Sequence, residues 1–97
     1  MEIAKKIENG LLEVAIKGRL DTVTSQDLLA NLTEIDQANK AIFDFSELEY
    51  ISSAGLRAIL SYQKKLGGKA NIVIRHLNPV VANIFQVTGF AALVTIE

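Results

Sequence analysis

The chain contains no cysteine and no tryptophan, and it has one proline, Pro79, and one histidine, His76. Without cysteine there are no disulfides and no thiolate metal sites, a composition that suits the cytosol. With a single histidine there is no histidine-based metal cluster, and a hydrolytic triad would depend on His76 alone. That residue follows a strand-like run and precedes a helix cap, so it reads as a loop or surface histidine. Charge of one sign is also lacking. The formal net charge is −1, so no broad basic field invites nucleic acid or anionic lipid. No apolar run approaches the roughly 20 residues that span a bilayer. The N-terminal Met-Glu-Ile-Ala-Lys-Lys has no apolar run behind its charges, so no signal peptide is expected. The expectation is a cytoplasmic protein that makes no direct nucleic-acid contact and does not insert into a membrane.

What the chain does have is enough apolar content for one core. Its 97 residues fit one domain, and a hydrophobic fraction of 49% argues for a folded globule rather than disorder. Asn9-Gly10 is a hairpin turn signal, because a type I′ turn needs positive φ at both central positions. It separates a strand at Glu2–Glu8 from one at Leu11–Lys17, in which Leu12, Val14 and Ile16 mark the buried face. Gly18-Arg19-Leu20-Asp21 then leaves the sheet. A helix is expected from Thr24, with Asp27 in the capping-box position and Leu28, Leu29, Leu32 and Ile35 on its apolar face.

Ala41–Phe45 reads as a buried strand and Ser46–Ile51 as a connection. A second helix runs from Ser53 to about Leu66, with Leu56, Ile59, Leu60 and Tyr62 inward. Lys64 and Lys65 suit its C-terminal dipole, and Gly67-Gly68 is its stop. Asn71–Arg75 is another strand. Asn78 and Pro79 make an N-cap and first-turn pair for a third helix. Val80, Val81, Ile84 and Phe85 form its buried face, Gly89 closes it, and Leu93–Ile96 is a last short strand. The order β-β-α-β-α-β-α-β defines an α/β fold with a mixed sheet, opened by an N-terminal hairpin and continued by alternating helices and strands.

Chemistry concentrates at Ile51-Ser52-Ser53-Ala54-Gly55-Leu56. Two hydroxyls lie there beside the free N–H groups and positive dipole end of a helix. Such a place suits a helix cap, and it equally suits a phosphate. Asp21, Asp44 and Glu47 are candidates to converge on one end of the sheet, although no paired-carboxylate spacing requires it. A small enzyme using Asp21 with Ser53 would lack a general base for the serine. No enzyme and no cofactor are therefore expected.

The stretch Phe43-Asp44-Phe45-Ser46-Glu47-Leu48-Glu49-Tyr50-Ile51-Ser52-Ser53-Ala54-Gly55-Leu56 resembles the signature of STAS domains, specifically of bacterial anti-sigma factor antagonists. Gly18-Arg19-Leu20-Asp21 is similar to a second family feature after the second strand. Asn78-Pro79, Ile84-Phe85 and Thr88-Gly89-Phe90 are similar to a third. Together they cover nearly the whole chain and imply one STAS-type domain over residues 1–97.

The resemblance implies a non-enzymatic phosphoprotein that regulates transcription. Its partner would be an anti-sigma factor serine kinase, bound while the antagonist is unphosphorylated and released on serine phosphorylation. A serine phosphatase would reset the switch. It places the phosphoacceptor at Ser53, with Ser52 as runner-up. The partner face would comprise Asp21, Thr22, Tyr50, Ile51, Ser52, Ser53, Leu56 and Arg57, with Leu56 alternatively in the core and Tyr50 alternatively stapling the start of the helix. Two departures stand out: Ser52 replaces the family aspartate, and Ala54 replaces the usual second hydroxyl residue. The chain also stops at Glu97, where many family members continue into a final helix. The alternative function is a constitutive STAS interaction subunit of a transporter or signalling complex, with Ser53 only capping a helix.

Overall fold

The structure, a computed structural model, describes residues 1–67 and 72–97. Strands β1 (Glu2–Glu8) and β2 (Leu11–Leu20) form an antiparallel hairpin in which Glu8 faces Leu11 and Glu2 faces Lys17. Its turn has Asn9 at φ 53° and Gly10 at φ 81°, the left-handed pair that the Asn-Gly sequence favours. All other pairings in the sheet are parallel, in the order β1-β2-β3-β5-β6, with β4 also paired to β2.

β2 serves two partners. Leu11–Ala15 pair with β3 (Lys40–Asp44), and Gly18–Leu20 pair with β4 (Leu48–Ile51). The register shifts at Gly18, whose φ of 102° lets the strand absorb an irregularity without a side-chain clash. Two sequence expectations are corrected here. Gly18-Arg19-Leu20 stays in the sheet, and the supposed connection Ser46–Ile51 contains a strand. Leu48 and Ile51 are each 1% exposed, and burying them holds β4 against β2.

Helix α1 (Thr22–Asn31) begins two residues earlier than the Thr24 start expected from the sequence. Asp21 is its N-cap: Oδ1 accepts from the N–H groups of Val23 at 3.0 Å and Thr24 at 2.9 Å, and the Asp21 N–H donates to Thr24 Oγ1 at 2.8 Å. This is a complete capping box in which a threonine hydroxyl does the work usually given to Glu or Gln. Asp27 takes no part and is exposed. Of the expected apolar face, Leu28 is buried and Leu29 is 45% exposed. Leu32 and Ile35 are buried but lie past the helix, Ile35 in a 3₁₀ turn at Glu34–Gln37.

Helix α2 (Ser53–Lys65) matches its expected span closely. β5 occupies Val73–Arg75; Gly68 and Asn71, named above as a stop and a strand start, lie outside the described residues. Helix α3 (Pro79–Val87) is capped by Asn78, whose Oδ1 accepts from the Val81 N–H at 2.8 Å. Asn78 Nδ2 also donates to the Leu48 carbonyl at 2.8 Å, tying α3 to the outer edge of β4. Val81 and Phe85 are buried, whereas Val80 is exposed. A 3₁₀ turn at Phe90–Ala92 precedes β6 (Thr95–Ile96), a shorter strand than expected.

The core lies between one sheet face and the helices. Leu12, Val14 and Ile16 of β2, Ala41 and Phe43 of β3 and Ile74 of β5 supply the sheet side, and Leu28, Leu56, Ile59, Tyr62, Val81 and Phe85 the helical side. Tyr62 links the layers. Its ring centroid lies 5.9 Å from that of Phe43, and its hydroxyl donates to the Leu28 carbonyl at 3.0 Å. Burial pushes the Tyr62 phenol pKa up, so it stays a protonated donor.

Candidate functional site

β2 and β4 end together. Leu20 pairs with Ile51, and the Ser52 N–H donates to the Leu20 carbonyl at 2.9 Å. The helices that follow these strands therefore start side by side, α1 from Asp21 and α2 from Ser52. Two positive dipole ends meet at one edge of the sheet.

The two serines of α2 do different work. Ser52 has extended backbone, with φ −92° and ψ 174°, and its Oγ accepts from the Gly55 N–H at 3.2 Å. It is the N-cap. Ser53 is the first helical residue, is exposed, and makes no side-chain hydrogen bond among the described residues. The capping role weighed above for Ser53 thus belongs to Ser52.

Gly55 sets how closely the helix sits on the strands. A Cβ at that position would lie 2.7 Å from Ile51 Cγ1 and 2.8 Å from the Leu20 carbonyl oxygen. Only a residue without a side chain allows this approach. Leu56, the next residue, is 2% exposed, and Ile51 is 1% exposed. Both were candidates for the partner face, but both point into the core and position the site from beneath. Their apolar character is explained by packing.

The remaining candidates are accessible. Thr22 is the first residue of α1 and is exposed, as is Arg57 one turn into α2. Tyr50 is half-buried. The Arg19 guanidinium lies over its ring, 4.7 Å from the centroid, a cation–π contact that the sequence reading did not anticipate. The β2–β4 register, which puts Arg19 opposite Tyr50, creates this contact. Asp21 carries a fixed negative charge. The Thr24 backbone N–H above all holds its carboxyl below the ordinary aspartate value, helped by the Thr24 hydroxyl, the Val23 N–H and the Arg19 charge. The Thr24 partnership was also missed; its signal was the Asp-x-x-Thr spacing from Asp21.

The other polar candidates do not join this site. The Asp44 carboxylate accepts from the Ser46 N–H at 2.9 Å and lies 3.2 Å from His76 Nδ1, and Glu47 pairs with Lys17 at 3.7 Å. Each acid is engaged locally, so Asp21, Asp44 and Glu47 do not form a shared cluster. Among the described residues no group of three or more His, Asp or Glu is placed to hold a metal ion, and no helix is long and apolar enough to cross a membrane. What the site can do chemically is present a free hydroxyl, and any negative charge added to it, at a helix N-terminus.

An open sheet covered on one face by helices, with a free hydroxyl at the start of a helix on its strand-end edge, defines a small α/β module with an exposed hydroxyl at the ends of its strands. The chain belongs to the STAS domain family, whose pattern it matches over residues 2–97. A curated relative, "Putative anti-sigma factor antagonist BtrV" of Bordetella bronchiseptica, is 31% identical over 88 residues, spanning 88% of this chain and 76% of the relative. Among solved structures, the anti-sigma factor antagonist SpoIIAA in its unphosphorylated form superposes with a TM-score of 0.83 at 20% identity, covering 99% of this chain and 88% of that one. An anti-sigma factor antagonist from Mycobacterium paratuberculosis superposes with a TM-score of 0.87 at 20% identity, covering 99% of this chain and 84% of that one. These two likenesses are of fold. They match the mixed sheet with its opening hairpin and three helices.

Proposed function

We propose that this protein is an anti-sigma factor antagonist switched by phosphorylation of Ser53. Unphosphorylated, it binds an anti-sigma factor that is a serine kinase, and so frees a sigma factor. Phosphorylated, it is released, and a serine phosphatase returns it to the binding state. It acts by binding, in the cytoplasm, and catalyses nothing itself.

The observation that carries this reading is the division between the two hydroxyls. Ser52 is spent on the Gly55 N–H, while Ser53 stands exposed and unbonded at the first position of α2. A kinase can reach Ser53 without uncapping the helix. The family aspartate, absent here, is replaced by a residue that caps comparably, so α2 loses nothing by the exchange.

The energetics suit a switch without rearrangement. A phosphoryl group adds about −1.5 to −2 charges at pH 7. The helix N-terminus accommodates that charge, so the fold survives. A partner packed against the neutral hydroxyl must desolvate the phosphate, which costs far more than any contact regained. The fixed carboxylate of Asp21 adds a negative charge to the same face. Thr22, Tyr50, Ser52, Ser53, Asp21 and Arg57 form the accessible partner face, with Ile51 and Leu56 as its buried support.

The test is a capture experiment with wild type, Ser53→Ala and Ser53→phosphoserine as baits, the last made by direct incorporation of phosphoserine. A kinase-type anti-sigma factor retained by the first two and lost by the third supports the switch. Equal retention by all three would mean a constitutive interaction subunit instead.

A further inference from the structure

We propose that Arg57 is a positioning residue that clamps the phosphoryl group on Ser53 within the protein itself. The inference rests on Ser53 being the acceptor. Ser53 and Arg57 stand four positions apart on α2 and are both exposed, so they share one helix face a single turn apart. Side chains on a helix lean toward its N-terminus, which lays the Arg57 stem over the turn that carries Ser53.

Arg57 is also uncommitted. The chain has three arginines. Arg19 lies over the Tyr50 ring, and Arg75 Nε donates to Glu97 at 2.7 Å. Arg57 has no ion pair or hydrogen bond among the described residues. No acidic residue occupies the first turn of α2, so no carboxylate there competes for it. Asp21, the acid that caps the neighbouring helix, makes no ion pair with Arg57, and its Oδ1 accepts from the Val23 and Thr24 N–H groups. The guanidinium fork matches phosphate geometry, and its charge adds to that of the helix terminus.

The clamp changes what the face offers a partner. Before phosphorylation this face offers a partner a free guanidinium. Afterwards the same guanidinium is folded back on a dianion, and the face is net negative. An acidic partner surface that welcomed Arg57 then meets repulsion.

The experiment uses full-length protein with phosphoserine incorporated at position 53, so no kinase is required. Phosphorus NMR follows the second ionisation of the phosphate in the wild type, Arg57→Gln and Arg57→Lys. A cation one turn away favours the dianion, so Arg57→Gln raises the midpoint by about 0.3 pH unit, a roughly twofold change in the ionisation constant. Arg57→Lys falls between the two. The Arg57 Nε–H proton also shifts on phosphorylation. Equal midpoints in wild type and Arg57→Gln overturn the clamp. Because Arg57 is exposed, Arg57→Gln keeps the fold, and Arg57→Lys keeps both the stem and the charge as a second check. If no anti-sigma factor phosphorylates Ser53, the reading of function fails while this titration still decides the clamp.

Discussion

Replacing Gly55 with alanine tests whether close contact between α2 and the β2–β4 pair is what fixes the site. Two opposing effects set the outcome. Alanine gains about 1 kcal/mol over glycine in a helix interior. The added methyl would sit 2.7 Å from Ile51 Cγ1, 2.8 Å from the Leu20 carbonyl oxygen and 3.0 Å from Leu20 Cγ. Ile51 has a side chain that can turn, but the Leu20 carbonyl is backbone and already accepts from the Ser52 N–H. The helix must therefore lift by several tenths of an ångström and loosen a packed core. Overpacking of this kind costs about 1–3 kcal/mol. Because a backbone oxygen is among the contacts, the cost falls in the upper part of that range, about 2–3 kcal/mol, and the net loss is about 1–2 kcal/mol. For a chain of this size each kcal/mol lowers Tm by about 4–8 °C. Thermal and urea unfolding of wild type and Gly55→Ala measure the difference directly. An unchanged or higher Tm would refute the reasoning, because the helix would then have had room for the methyl group.

Two further outcomes follow from the site. Ser52→Ala removes the N-cap and loses about 1 kcal/mol in urea unfolding, Ser53→Ala stays within about 0.5 kcal/mol of wild type, and Ser52→Asp retains stability because aspartate caps as well as serine. A larger loss for Ser53→Ala than for Ser52→Ala would reverse the assignment of the two hydroxyls. The Asp21 carboxyl has its folded-state pKa below the ordinary value. Its stabilisation is present above the unfolded-state pKa and is lost as pH falls through the lower folded value. Asp21→Asn keeps a capping side chain but cannot titrate, so its stability declines less steeply below about pH 4. Parallel acid limbs for the two proteins would contradict this.

Much of the fold was legible because its signals are local. The Asn9-Gly10 turn, the Asn78-Pro79 cap and the stripe of Leu56, Ile59 and Tyr62 each need only neighbouring residues to be read. Two of the misses share a tertiary cause. β4 has four residues and no clean alternation, and it is a strand because the far half of β2 is free to pair with it. Helical spacing nominated Leu29 and Val80 for burial, but each helix buries only the arc that a neighbour covers, and these two lie beyond it. The start of α1 was misplaced because Thr24 was taken to open the helix with Asp27 as its capping-box partner, whereas Asp21 is the cap and Thr24 its partner.

By itself the sequence determined the α/β class, the opening hairpin, the spans of α2 and α3 and the likeness of the Ser52–Leu56 segment to a known signature. These depend on backbone preference and short-range hydrogen bonding. Tertiary structure alone decided which serine caps and which stands free, that Ile51 and Leu56 are support rather than surface, and that Asp21 and Ser52 open neighbouring helices. Those outcomes depend on the β2–β4 register and the close seating of Gly55 on Leu20, contacts between segments about thirty residues apart that no local pattern encodes.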